Sequence, residues 1–155
     1  MDERLQETKS FLDEVQELFA FLDNRMDKLQ TLSEYGDELA PMDDELRRQE
    51  YLVPGCASAT YVILQVDDAE RAHFITDSES LMSKGYLYIL TRALDGCTVE
   101  QIAKDAEPIV MGFAQGAEVS RLGTTQSRAN AFVNIYNFMR RQAIAYLAQL
   151  NQERE

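Results

Sequence analysis

No stretch of this 155-residue chain is apolar for long enough to cross a bilayer, which takes about 20 residues as a helix. The opening "MDERLQETKS" has neither the basic and apolar regions of a secretory signal nor the Arg-rich, acid-poor character of a transit peptide. These absences lead us to expect a cytoplasmic protein with reduced thiols. Cysteine is scarce: Cys56 and Cys97 are too few for a disulfide framework. Histidine is scarcer, with His73 alone. Two cysteines and one histidine do not build a tetrahedral zinc site without carboxylates, and no ligand spacing suggests one, so no metal is expected. There is no Walker loop, no dinucleotide fingerprint and no G-x-S-x-G elbow, and Gly112 and Gly116 are too isolated to cradle a phosphate. Positive charge is also short: 15 Lys and Arg face 27 Asp and Glu, for a net charge of −12. Such a surface repels phosphate backbones and excludes a nucleic-acid partner, while it suits a basic patch on another protein.

What is present reads as one globular domain over residues 1–155, with 45 % hydrophobic and 27 % charged residues. Residues 3 to about 39 carry a helical stripe: Leu5, Leu12, Phe19 and Met26 at intervals of seven, with Val15, Leu22 and Leu29 beside them. A break is expected near Asp23–Arg25, with Asp23 or Asn24 capping a second helix. The repeat stops after about four heptads, which favours a core-packed amphipathic helix over a coiled coil. "EYLV", "TYVILQV" and "RAHFIT" then predict two or three short antiparallel strands over residues 49 to 76. Helices follow. Asp77 or Ser78 is expected to cap the first, with Leu81, Leu87, Tyr88, Leu90 and Leu94 facing inward and Gly96 stopping it. "TVEQ" at Thr98–Gln101 is a capping box, Pro108 suits a helix start, and Thr125 is expected to cap a last helix striped by Phe132, Ile135, Tyr136, Met139, Ala143, Tyr146, Leu147 and Leu150. The fold class is α+β, with N-terminal and C-terminal helices around a small antiparallel sheet of about three strands.

Cys56 stands out because "VPGCAS" puts it on a Pro-Gly turn, where proline presets its backbone angle and glycine accepts a positive one. The turn leaves two readings open: a thiol presented to a partner, or a surface thiol with no role. No charge near it in sequence favours a thiolate, since Glu50 and Asp67 are both acidic. Cys97 lies between a helix-stopping glycine and the next cap and reads as packing or surface. His73 reads as a strand histidine rather than a catalytic base. Arg128, third in a helix capped by Thr125, is a cation at the positive end of the helix dipole. It is either solvated or placed to meet a carbonyl or an acidic partner.

Three separated stretches, "VPGCAS", "TDSESLMSKG" and "TTQSRAN", fall in the order and spacing of the SufE/CsdE family of sulfur-acceptor proteins, which this chain resembles over about residues 20 to 148, with residues 1–20 as a helical extension. The resemblance implies the SufE/IscU-like fold. It implies that Cys56 takes sulfane sulfur as a persulfide from a cysteine desulfurase, stimulates that enzyme, and relays sulfur toward iron–sulfur cluster assembly. Gly55 and Ser58 match the loop; Asp77, Ser78, Lys84 and Gly85 match the second motif; Ser127, Arg128 and Asn130 match the third. Gly55, Ser58, Asp77, Lys84 and Arg128 are thus the expected loop supports or partner contacts. Ala57 and Ala59 replace the usual glutamines, Tyr61 a usual aromatic, often Trp, Gln126 the proline and Ala131 the glycine. The implied partners are the pyridoxal-phosphate-dependent desulfurase and a downstream cluster scaffold or other sulfur acceptor. The chain itself would need no cofactor and would be an accessory protein rather than a stand-alone enzyme. The alternative is a regulatory module that docks on a desulfurase, or on another protein, without carrying sulfur. Cluster scaffolds of related fold use about three cysteines, one more than this chain has.

Overall fold

The structure is a computed structural model and describes residues 2–116, 122 and 131–154. The N-terminal helical stretch is two helices, α1 (Glu3–Phe21) and α2 (Arg25–Asp37). Asn24 caps α2 through its side-chain oxygen, which accepts the Asp27 N–H at 2.9 Å. Leu5, Leu12, Val15 and Phe19 face the core, but Met26 is 75 % exposed. The break resets the helix phase, so the interval of seven does not carry past it.

Helix α2 crosses α3 (Leu81–Leu94) closely. A Cβ on Gly85 would lie 2.4 Å from Cγ and from the carbonyl oxygen of Leu32, and one on Gly36 would lie 2.6 Å from Cβ of Lys84. The glycine of the second motif is therefore what lets these two helices approach.

Among the described residues two strands form, where about three were expected. β1 (Thr60–Val66) pairs antiparallel with β2 (Ala72–Ser78), from Thr60 opposite Ser78 to Val66 opposite Ala72. The "EYLV" run is instead a 3-10 turn at Gln49–Tyr51 followed by a single bridge between Leu52 and Tyr61. Pro54 has no N–H to donate and Gly55 turns the chain away at φ +82°, so a ladder cannot continue there. A two-stranded hairpin is marginal on its own. Here it rests on α3 and on the last helix, α6 (Ala131–Arg154), with Val62, Ala72 and Phe74 buried between.

β2 runs through Asp77 and Ser78, so neither is the cap of α3. Ser80 is, accepting the Ser83 N–H at 3.2 Å. As the first residue of α3, Leu81 precedes the inward stripe and is 61 % exposed; Leu87, Leu90 and Leu94 are buried. Gly96, at φ +92°, ends the helix. The Arg4 guanidinium donates to the last carbonyls of this turn, at 3.1 Å to Ala93 and 2.7 Å to Asp95. The capping box forms as expected before α4 (Val99–Ala103). α5 (Ala106–Gly116) begins two residues before Pro108; a proline is tolerated there because the first-turn N–H groups have no helical acceptor. In α6, Phe132, Ile135, Tyr136, Met139 and Ala143 are buried, and Phe132 meets Tyr86 edge-on with ring centroids 5.6 Å apart. Thr125 lies outside the described residues.

Candidate functional site

The Cys56 loop grows out of the start of β1. Its base is closed by the Val53 N–H donating to the Thr60 carbonyl at 2.8 Å, and the Glu79 N–H donates to the Ala59 carbonyl at 3.0 Å. Pro54, Gly55 and Ala57 are exposed, but Cys56 between them is half-buried and packs against the core. The turn is at the surface as expected; the thiol is not its most exposed atom. Burial pushes the thiol up from its ordinary range, with the Thr60 side chain a smaller influence in the other direction. Val53, which precedes the turn, and Val62 on β1 are buried, and Tyr61 is half-buried.

Gly55 is required on two counts. Its φ is +82°, and a Cβ there would fall 2.9 Å from Nδ2 of Asn134. That same nitrogen donates to the Gly55 carbonyl at 3.3 Å, tying the turn to α6. Below the loop, Thr60 is 0 % exposed. Its hydroxyl donates to the Ser58 carbonyl at 3.0 Å and lies 2.9 Å from the hydroxyl of Ser78, its cross-strand partner. Ser58 therefore acts through its backbone, half-buried.

Asp77 and Lys84 belong to a separate charged cluster. Asp77 pairs with Arg47, and Lys84 Nζ stands 3.8 Å from Asp77 Oδ1. Arg47 also pairs with Asp44 at 3.2 Å and lies over the Tyr61 ring, 5.8 Å from its centroid. The cluster ties a second 3-10 turn, Asp44–Leu46, and the Arg47 that follows it to β2 and α3, on the strand position opposite Tyr61. Arg128, Ser127, Asn130 and Gln126 lie outside the described residues.

The other reactive groups sit elsewhere. Cys97 is 0 % exposed, its sulfur 3.6 Å from the Thr8 hydroxyl, and burial raises its thiol too. His73 is held between two carboxylates, Nδ1 to Asp95 at 2.6 Å and Nε2 to Asp67 at 2.8 Å. It pairs with Gln65, about 17 Å along β1 from Thr60 at 3.3 Å per residue. Among the described residues no group of three or more His, Cys, Asp or Glu is arranged to hold a metal ion. A cavity of about 840 Å³ between α1 and α5 is lined by no residue of the Cys56 loop.

Sequence reasoning did not find Thr60, Asn134 or Arg47. Thr60 reads as an ordinary β-branched strand residue. Asn134 reads as the solvated face of a helix, and Arg47 as part of a charged connection. The partners that give them their place, Ser78 for Thr60, Asp77 for Arg47 and Gly55 for Asn134, lie 18 to 79 positions away, so no local pattern signals them.

The family model for SufE, described as an Fe-S metabolism associated domain, matches residues 13–143. The chain belongs to this family. It is 28 % identical over 130 residues to "SufE-like protein 2, chloroplastic" of Arabidopsis thaliana, covering 84 % of this chain and 49 % of that protein. It is 34 % identical over 108 residues to "Cysteine desulfuration protein SufE" of Plasmodium vivax, covering 68 % of this chain and 40 % of that one. The chain thus spans about half or less of the length of these relatives. A solution structure of a hypothetical protein from Thermus thermophilus superposes with a TM-score of 0.67 at 18 % identity, over 89 % of this chain and 96 % of that one, and so shares the fold.

Proposed function

We propose that this member of the SufE family accepts sulfur on Cys56 from a pyridoxal-phosphate-dependent cysteine desulfurase, stimulates that enzyme, and passes the sulfur toward iron–sulfur cluster assembly in the cytoplasm. The observation that carries the reading is the contrast between the two free thiols: Cys56 is half-buried on a turn, and Cys97 is sealed in the core. The name of the Plasmodium relative, a cysteine desulfuration protein, supports the same chemistry.

The transfer is exchange at sulfur. Cys56 loses its proton to solvent and the thiolate attacks the terminal sulfur of the donor's persulfide. The donor S–S bond breaks and its sulfur leaves as a thiolate. A new S–S bond forms on Cys56, with no net oxidation or reduction. Gly55 shapes the turn, Ser58 anchors it through its carbonyl, and Asp77 holds the adjoining strand to Arg47 on one side and to Lys84 on the other. Arg128 braces the loop or meets the partner. The loop hangs on few bonds, which suits a nucleophile that must reach into another protein.

The test is an incubation with a desulfurase, pyridoxal phosphate and cysteine, examined by intact mass without reductant. The wild-type chain gains the mass of a sulfur atom and Cys56→Ser does not. Stimulation of the desulfurase by Cys56→Ser equal to wild type, with no mass gain in either, would favour a regulatory module instead.

A further inference from the structure

A peptide unit is planar, so whatever holds the Gly55 carbonyl also holds the nitrogen of Cys56 and sets the direction in which the chain enters that residue. The backbone bonds from Val53 to Thr60 and from Glu79 to Ala59 fix the two ends of the turn and reach no residue of its tip, Pro54 to Ala57. Among the described residues, one side chain from another element bonds the tip. Nδ2 of Asn134 donates to the Gly55 carbonyl at 3.3 Å.

Packing backs that bond. A Cβ on Gly55 would fall 2.9 Å from Nδ2 and 3.4 Å from Cγ of Asn134, so the amide takes the space that any other residue at position 55 would fill. The anchor is also the firmer of the two partners. Asn134 stands in the first turns of α6, where its neighbours Phe132, Ile135 and Tyr136 are fully buried, while Pro54, Gly55 and Ala57 are exposed. With the tip held, Cys56 lies half-buried against the core.

We propose that Asn134 is a latch that holds the tip of the turn against α6 and so shields the Cys56 sulfur from small thiols, a positioning role that rests on the function proposed above. The outer sulfur of a persulfide is open to attack by any thiolate that reaches it. One neutral hydrogen bond is a weak tie. It keeps the tip in place between encounters, and a docking protein can break it by offering contacts of its own.

Asn134→Ala removes the amide and places a good helix former in α6. The readout is the rate of iodoacetamide alkylation of Cys56 in the free chain, followed by peptide mass across neutral to alkaline pH. Alkylation should quicken about fivefold, as loss of one neutral hydrogen bond from the closed state implies. Cys97, sealed in the core, reports any general loosening in the same digests, and its rate should not change. Asn134→Asp keeps the shape but has no proton to donate at these pH values, and should quicken alkylation at least as much. In chains first loaded with sulfur, glutathione should strip it about fivefold faster from Asn134→Ala than from wild type. Unchanged alkylation of Cys56 in Asn134→Ala overturns the latch and leaves sulfur acceptance standing. Cys97 quickening alongside Cys56 also overturns it, because the whole fold would then have loosened. So does a wild-type rate in Asn134→Asp, since shape rather than the donor would be responsible. A wild-type chain that gains no sulfur from a desulfurase sinks the proposed function instead, whatever the alkylation rates.

Discussion

Cys56 hangs on a turn held by the Val53–Thr60 and Ala59–Glu79 backbone bonds and the Asn134 amide, all neutral. Cys97 sits where α1, the end of α3 and the start of β2 meet. Its carbonyl accepts the Ala72 N–H at 2.8 Å, its N–H donates to Leu94 at 3.0 Å, and the Arg4 guanidinium bonds the helix end beside it. On the Cys97 side the hairpin turn is clamped further, with His73 between Asp67 and Asp95 and the Arg71 guanidinium donating to the Gly96 carbonyl at 2.7 Å. Charge ties the hairpin at both ends, through Arg47, Asp77 and Lys84 at one and through His73, Asp67 and Asp95 at the other; only the turn that carries Cys56 hangs on a few neutral bonds. The sulfur-carrying role proposed above uses that division: the hairpin is fixed while the thiol's own turn can yield.

The largest expected effect separates the two cysteines. Cys56→Ser should abolish sulfur acceptance and stimulation of the desulfurase with the melting temperature nearly unchanged. Cys97→Ser should keep most activity and lose about 1–2 kcal/mol of stability, since it puts a more polar group in a sealed site; thermal unfolding and sulfide release on both variants check this. An inactive Cys97→Ser would reverse the assignment.

Next is Arg128 of the third motif, proposed above to brace the loop or meet the partner. Arg128→Ala should hold or raise the melting temperature, as the helix start expected from the sequence implies, while lowering stimulation several-fold. Arg128→Lys should rescue little, because a point charge does not replace a planar fork of donors. Full stimulation by Arg128→Ala would overturn that role.

Gly55→Ala should cost about 1 kcal/mol for a left-handed backbone angle on a residue with a Cβ. The Asn134 side chain can swing away, but only by giving up its bond to the Gly55 carbonyl. Persulfide formation should fall more than stability does; the same measurements test both.

The fold and the reactive residue were legible to different degrees. The helices carry strong periodicity and local caps, so a cap at Asp23 or Asn24, the Thr98 capping box and Gly96 could be placed from the sequence alone, and the structure selects Asn24. β1 stood out through its run of branched and aromatic residues. "EYLV" misled because whether four such residues pair is decided by the chain that follows, and Pro54 and Gly55 end the ladder. In "TDSES" several residues can cap a helix, and only the cross-strand pairing of Thr60 with Ser78 moves the cap to Ser80. The Pro-Gly turn marked Cys56. The half-burial of its thiol was not legible, because it depends on packing from elements distant in sequence.

The smallest effect tests the fixed end. Two carboxylates hold His73 above its ordinary range, Asp67 first and then Asp95. A raised folded value means the stabilisation is full below the unfolded value and is lost as pH rises through the folded one. The same bond lowers Asp67, whose share is lost as pH falls through its folded value. Stability should therefore be greatest between the carboxylate range and neutrality. The alkaline step is small because the pair is partly exposed. Thermal unfolding followed against pH should show it in the wild-type chain and not in His73→Gln, with the alkylation profile of Cys56 the same in both.

The most direct test sets the two thiols against each other in one molecule. The wild-type chain is loaded by a desulfurase with cysteine, its free thiols and persulfides are alkylated under native conditions and again after unfolding, and the added sulfur is located by peptide mass. The account predicts sulfur on the Cys56 peptide alone, with Cys97 unmodified until the chain unfolds. Sulfur on Cys97, or on neither peptide while the desulfurase is stimulated, would contradict it.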